Sequence, residues 1–201
     1  MQSYDEEINY SELSFPLKEP EWYYDCEKLE AELKETCIGH VLKKIYVTLD
    51  TFLDSDFCNE RHFASELDGG CYLFFDDFVL CFCISGEGMV GYCRLEGGEV
   101  SVKNVSGKPP AGLGLEGDNY YYAISERFVP CVEEQRVKEV NVEATDYYPF
   151  VLCGFDRKKA EKAVRQKKLP NGIRFALANG VTVALIASVV EYYDIDLYTD
   201  K

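Results

Sequence analysis

Alternating apolar and polar positions indicate strands in two stretches of the chain that resemble each other. The apolar positions are Ile45, Val47 and Leu49 in one stretch and Val140, Val142 and Ala144 in the other. A period of two is that of a strand with one buried face. The residues just before them also correspond, because Cys-Ile-x3-Leu-Lys-Lys and Cys-Val-x4-Val-Lys-Glu align with one inserted residue. The pattern predicts two related copies of one β-rich unit.

A hairpin is predicted in the second copy, where strand-like residues flank Asn179 and Gly180. The Asn-Gly dipeptide is the one that best tolerates the positive φ angles of a type I′ turn. The matching stretch of the first copy has Asp76 and Asp77 at its turn. A third strand is expected after each hairpin, over residues 89–95 and 189–197. Each unit is therefore expected to be a strand followed by a three-stranded meander.

Helices are predicted where apolar residues recur at every third or fourth position. Asp25 is suited to cap a helix whose apolar stripe is Cys26, Leu29, Leu33 and Cys37. A second helix is expected over 157–168, where Asp156 is suited to be the cap, and a shorter one over 59–67. These elements predict an α+β fold of two tandem related β-rich units, with a few helices packed on one face or end of the antiparallel strands.

Four segments follow from these patterns. Residues 1–36 are an N-terminal segment with the first helix, 37–105 are the first β unit, 106–119 are a Gly/Pro-rich connection, and 120–201 are the second β unit. The connection is typical of a flexible linker or surface loop, and a short strand is expected over 100–105. The pattern leaves open whether the two units share one sheet.

Composition places the chain among ordinary globular proteins. A hydrophobic fraction of 47% and an aromatic fraction of 14% are too high for a disordered chain. The first residues are acidic where a signal peptide is basic, and no apolar run approaches the roughly 18 residues of a membrane span. Nine cysteines, an odd number without the compact spacing of a disulfide scaffold, fit a reducing compartment. A cytoplasmic protein that does not interact with membranes is expected.

The charge is strongly acidic and unevenly distributed. The net charge of −15 repels nucleic acid and anionic membranes over most of the exterior and attracts a basic partner, although acidity also serves solubility alone. Seven bases fall within 157–168, and outside 156–168 the chain has 14 bases against 34 acids. This basic stretch fits docking onto an acidic surface of the same protein or of a partner, or a solvated helix face.

No catalytic, cofactor or metal site is predicted. Residues 112–117 match G-x-G-x-x-G but lack the preceding strand and following helix that a dinucleotide site needs, so they are assigned to a loop. Neither histidine lies in an H-E-x-x-H pattern. A tetrahedral zinc site could be drawn from neighbouring residues, but without a C-x2-C knuckle chance proximity is the simpler interpretation. These neighbours are Cys58 with His62, Cys37 with His40, and Cys81 with Cys83.

Tyrosine clusters beside acidic residues are the candidate binding surface. Tyrosine offers rigid apolar area with a polar tip and is enriched at protein interfaces, although strand tyrosines also pack at sheet edges. With the start of the basic stretch, the predicted partner-binding residues are Asp118, Tyr120, Tyr122, Tyr147, Tyr148, Arg157, Lys158, Glu191, Tyr192, Tyr193 and Asp194. Function is expected where the two units differ, at residues 50–70 and 147–171.

The hairpin around Asn179 and Gly180, preceded by the strand-like run 136–142 in a small acidic chain, resembles the immunity proteins of bacterial toxin systems. The resemblance implies a non-enzymatic inhibitor that binds a cognate toxin, often a basic nuclease, with acids and aromatics covering the toxin's active site or an adjacent surface. Opposite charge would speed the encounter. The alternatives are a small-ligand-binding domain or enzyme with a pocket between the two units, and a structural protein that forms homo-oligomers through them.

Overall fold

A computed structural model describes residues 8–16, 18–48, 57–59, 62–66, 71–84, 90–107, 120–123, 132–144, 157–187 and 194–200. Within these residues the chain forms fourteen strands and two α-helices, and every strand pairing is antiparallel. The α+β class is thereby confirmed. In chain order the elements are β1 (Ile8–Ser14), β2 (Glu21–Trp22), α1 (Cys26–Cys37), β3 (Val41–Thr48), β4 (Phe57–Asn59), β5 (His62–Glu66), β6 (Cys71–Phe75), β7 (Phe78–Ile84), β8 (Val90–Glu96), β9 (Ser101–Gly107), β10 (Tyr120–Ala123), β11 (Gln135–Ala144), α2 (Arg157–Arg165), β12 (Pro170–Leu177), β13 (Thr182–Ala187) and β14 (Asp194–Asp200).

The strands form one hydrogen-bonded path with two meanders. Its order is β2-β8-β7-β6-β3-β11-β12-β13-β14-β5-β4, and β10, β1 and β9 extend from the far end of β3. β3 and β11 meet over a short pairing in which Leu42 lies opposite Gln135 and Val41 opposite Arg136. On the side away from this pairing, β3 is followed by the meander β6-β7-β8 and β11 by the meander β12-β13-β14. The two expected three-stranded meanders are present, whereas the relatedness of the two copies stays a prediction.

Both predicted hairpins are present. β12 and β13 are joined at Asn179 and Gly180, but of these two only Gly180 has a positive φ (+85°), so the hairpin forms without the type I′ turn expected from the dipeptide. The side-chain oxygen of Asn179 accepts a 3.1 Å hydrogen bond from the backbone N–H of Val181, which stabilises the turn. β6 and β7 are joined at Asp76 and Asp77, as expected.

Helix α1 begins and ends where the capping and apolar patterns place it. A side-chain oxygen of Asp25 accepts hydrogen bonds from the backbone N–H groups of Glu27 (3.0 Å) and Lys28 (3.3 Å). The stripe of Leu29, Leu33 and Cys37 is buried, whereas Cys26 is only half-buried. Neither α1 nor α2, the helices in the described part of the chain, is long and apolar enough to cross a membrane.

The helix expected over 59–67 is a wrong prediction, because the described residues of this stretch, 59 and 62–66, belong to β4 and β5. Asn59 lies opposite His62 across these two strands, and β5 pairs along β14 from Tyr198 to Asp194. Pairing with an existing strand satisfies the backbone groups of β5, and such tertiary context overrides a weak helical pattern. The second helix also ends at Arg165 rather than at residue 168, because Lys167 adopts a positive φ of +53°.

The main core lies between the two meanders and α1. Its largest fully buried side chains include Phe82 from the first meander, Phe175 from the second and Leu33 from the helix. The rings of Phe82 and Phe175 meet edge to face with centroids 6.1 Å apart. Smaller clusters on the other face of β6 and β7 include Tyr46 and Phe74. Buried side chains of both meanders therefore belong to one contiguous cluster.

Candidate functional site

Carboxylates from three separate segments meet at one end of the central strands. Asp76 and Asp77 form the turn between β6 and β7, and Phe78 lies opposite Glu96 at the end of β8. The backbone N–H of Gly97 donates a 2.8 Å hydrogen bond to the carbonyl oxygen of Asp77, which joins these two segments. The first residues of β3 pair with both the end of β6 and the start of β11. The turn that precedes β11, with Glu133 and Glu134, therefore lies at the same end of the strands. We name this surface the acidic rim, and its carboxylates are Asp76, Asp77, Glu96, Glu99, Glu133 and Glu134.

Cations neutralise only part of the acidic rim. The ion pairs are Lys18 with Glu99 at 2.8 Å, Lys43 with Glu134 at 2.5 Å, and Arg94 with Glu96 at 3.4 Å. Asp76 and Asp77 pair with neither lysine nor arginine in the described part of the chain; the side chain that they contact is His40. Because Asp76 and Asp77 lie outside these pairs, and because such exposed pairs are weak, the rim stays negative.

The end of α1 places His40 at this rim. The helix ends at Cys37, and Gly39 adopts a φ of +91°, a left-handed conformation that glycine tolerates best. The N–H of Gly39 donates to the carbonyl of Val137, and the N–H of Val137 donates to the carbonyl of His40, both at 2.9 Å. The imidazole meets the ring of Phe78 edge to face with centroids 5.1 Å apart. Backbone bonds and ring packing therefore fix the position of His40.

His40 contacts both aspartates of the turn. Its Nδ1 lies 2.8 Å from Oδ1 of Asp76 and 3.9 Å from Oδ2 of Asp77. Partial desolvation raises the pKa of Asp76, but the hydrogen bond and charge of His40 and the backbone N–H of Val41 lower it by more, so the pKa lies below its usual range. Asp76 is therefore ionised near neutral pH, and this cluster can attract a cationic side chain or a metal ion.

The predicted basic stretch forms α2 and the turn after it. The apolar side of the helix is docked, because Ala163, Val164 and Leu169 pack against Trp22 and Tyr24. The exposed basic side chains are Lys158, Lys159, Lys162, Arg165 and Lys167. Five of the 21 bases of the chain are thus exposed on this helix and the turn after it.

Lys168 docks this stretch onto the acidic N-terminal end of α1. Its Nζ lies 3.4 Å from carboxylate oxygens of both Asp25 and Glu27, and its carbonyl oxygen accepts a 2.8 Å hydrogen bond from the N–H of Cys26. The hydrogen bond and charge of Asp25, followed by those of Glu27, raise the pKa of Lys168. The basic stretch was predicted to dock onto an acidic surface of the same protein or of a partner, or to be a solvated face. Lys168 docks onto an acidic surface of the same protein.

Tyr23, from the first tyrosine pair of the sequence, is a core residue. Its hydroxyl donates a 2.6 Å hydrogen bond to Oε1 of Glu32, which also accepts one from Tyr92, and the two rings are stacked with centroids 5.6 Å apart. Burial, followed by the contact with Glu32, raises the pKa of both tyrosines. Packing within the protein is therefore the role of Tyr23.

Five of the predicted partner-binding residues lie within the described segments. Lys158 is exposed on α2, Arg157 begins that helix, Tyr120 and Tyr122 belong to β10, and Asp194 begins β14. The others lie outside the described residues: Asp118, Tyr147, Tyr148, Glu191, Tyr192 and Tyr193. The binding role of the set stays a prediction. The acidic rim was not predicted, because its six carboxylates are spread over residues 76–134.

The cysteines near His40 and on β7 have contrasting environments. Cys37 is fully buried, and burial raises its pKa to about 12, which makes it a poor nucleophile or metal ligand. Cys81 and Cys93 lie opposite each other on β7 and β8. A hydrogen bond from Cys81 lowers the pKa of Cys93 to about 7, against partial burial and with help from the charge of Lys18.

Compared with known proteins, the chain matches no family model, no curated protein and no solved structure, so the site stands on its own geometry.

Proposed function

We propose that the protein is a non-enzymatic protein-binding module of the immunity type, which binds and neutralises a basic toxin. The observation that carries this proposal is the acidic rim, where six carboxylates from three segments meet at one end of paired strands. Asp77, Glu96 and Glu134 are 76%, 66% and 67% exposed at the side chain, so a partner can reach them. A rigid acidic surface of this kind favours a basic partner.

The segregation of charge supports the same proposal. Seven of the 21 bases lie within 157–168, where α2 packs against Trp22 and Tyr24, whereas the chain outside 156–168 has 34 acids against 14 bases. A basic partner approaching the rim therefore meets a field that attracts it and orients it away from α2. The proposed apolar anchors are Tyr120, Tyr122, Tyr147, Tyr148, Tyr192 and Tyr193. The two meanders are proposed to be related copies of one unit.

The adjacent gene supplies the test, because immunity proteins are encoded beside their toxins. We expect its product to be a basic protein that arrests growth when expressed alone, and co-expression of the present chain to restore growth. The two purified proteins should form a stoichiometric complex whose association rate falls steeply with salt. A neighbouring product that is not toxic, or that does not bind, would contradict the proposal.

Charge-neutralising variants test the acidic rim itself. Glu96→Gln combined with Glu134→Gln should lower the association rate at low salt by about tenfold. The matched control is Glu35→Gln with Glu139→Gln, which removes the same charge from exposed positions outside the rim. Equal association rates for the two double variants would show that net charge, and not the rim, attracts the partner.

A further inference from the structure

The cluster of His40, Asp76 and Asp77 has the donor atoms and spacing of a metal site. One ligand atom from each residue can be chosen so that all three lie within 4.8 Å of one another. A metal ion bound at about 2.1 Å by three such atoms separates them by about 3.0–3.4 Å. Nδ1 of His40 lies 2.8 Å from Oδ1 of Asp76, just below that range, and 3.9 Å from Oδ2 of Asp77, just above it. Because the side chain of Asp77 is 76% exposed, it can turn toward the other two without disturbing the core.

The carboxylates of the cluster have no ion-paired lysine or arginine among the described residues, although two arginines lie nearby. The guanidinium of Arg94 lies over the ring of Phe78, 4.4 Å from its centroid, and Arg136 donates a hydrogen bond to the carbonyl of Gly39. The two carboxylates are adjacent in sequence. His40 supplies at most one positive charge, and only when it is protonated. A divalent cation would compensate both carboxylates at once, which makes cation binding electrostatically favourable at this point.

The backbone that carries the ligands is already fixed. The carbonyl of Asp77 accepts a hydrogen bond from Gly97, and the carbonyl of His40 accepts one from Val137. Phe78 is fully buried beneath the imidazole and holds its ring edge-on. Ligands on rigid segments lose little conformational entropy on binding, so the site needs only side-chain adjustment.

We propose that Nδ1 of His40 and the carboxylates of Asp76 and Asp77 bind a divalent first-row metal ion. One imidazole nitrogen with two carboxylate oxygens suits Zn²⁺ and Mn²⁺. The ligand is the neutral imidazole with its proton on Nε2, and water fills the positions that face solvent. All three ligands come from this chain, so metal binding does not require the proposed toxin partner, although Asp76 and Asp77 also belong to the acidic rim.

The chain has only two histidines, His40 and His62, which gives the experiment an internal control. The full chain, isotope-labelled at histidine, is titrated with MnCl₂ while the two ring signals are followed by NMR. Mn²⁺ is the probe because it prefers oxygen and nitrogen donors to the nine cysteine thiols. Paramagnetic broadening should remove the signal of His40 at substoichiometric metal and spare that of His62. Equal broadening of both signals, or of neither, would overturn the proposal.

Variants assign the ligands. Asp77→Asn keeps the backbone contact of the turn and should weaken Mn²⁺ binding by at least about tenfold, as should Asp76→Asn. The matched control is Glu139→Gln, an exposed carboxylate outside the acidic rim, and it should bind Mn²⁺ as the parent protein does. Unchanged affinity in Asp77→Asn and Asp76→Asn would exclude the site. Because no toxin is present in this titration, its failure is separate from a failure of the proposed function.

Discussion

Phe82 and Phe175 join the two meanders, so their substitution tests whether the meanders unfold together. Both rings are fully buried, and their centroids lie 6.1 Å apart. Replacement by alanine would cost about 3–5 kcal/mol each, a large part of the roughly 5–15 kcal/mol that stabilises a typical protein. We therefore choose Phe82→Leu and Phe175→Leu, which keep apolar side chains at both positions and should each cost about 1–2 kcal/mol.

The pair should be energetically coupled. An edge-to-face aromatic contact contributes about 0.5–1.5 kcal/mol beyond the apolar area that it buries. This contact is lost in either single variant and cannot be lost twice. The double variant should therefore be less destabilised than the sum of the single variants by that amount.

Denaturant unfolding followed by circular dichroism measures all four proteins, and thermal melts should show a fall of about 2–4 °C per kcal/mol. The control cycle combines Phe175→Leu with Phe74→Leu. Phe74 packs against Tyr46 on the other face of β6, with centroids 4.9 Å apart, so this cycle should be additive within about 0.5 kcal/mol. Two separate transitions, each shifted by only one of the substitutions Phe82→Leu and Phe175→Leu, would refute a shared core.

Two further predictions concern titratable groups. The hydrogen bond from Lys34, followed by that from the N–H of Val142, lowers the folded pKa of Glu30; its stabilisation is therefore present above the unfolded value of about 4.3 and is lost as the pH falls through the folded pKa. Glu30→Gln should reduce the fall in melting temperature as the pH is lowered below neutral, measured in melts at a series of pH values. An unchanged pH dependence would contradict this. Cys93 should be alkylated by iodoacetamide with a midpoint near pH 7, and Cys81→Ala should move the midpoint upward; peptide mass spectrometry measures both, and an unmoved midpoint would exclude the thiol contact.

Local signals predicted the elements that they encode directly. The hairpin forms at Asn179 and Gly180, although only Gly180 has the positive φ that the predicted type I′ turn needs at both, and Asp25 caps α1 through its own side chain. The helix predicted in the β4–β5 region is wrong because the conformation of this region depends on pairing with β14, a strand more than 120 positions further along the chain. β1 was not predicted at all, since it is stabilised by pairing with β9 and β10. No local pattern carries that information.

In the acidic rim, too, the sequence predicted the local turn but not the contacts between distant segments. Asp76 and Asp77 were assigned correctly to a turn, but their approach to His40, 36 positions away, follows from the register of β3 against β6. The packing of α2 against Trp22 likewise joins two segments that are distant in sequence.

The sequence by itself determined the acidic charge, the α+β class, α1 and the two hairpins, because propensity, capping and turn geometry act within a few residues. Only the tertiary structure decided which segments meet. Those contacts include the pairing of β3 with β11, the shared buried cluster and the acidic rim. The physical reason is that strand pairing and core packing join residues through backbone hydrogen bonds and apolar burial, which are nearly independent of their separation along the chain.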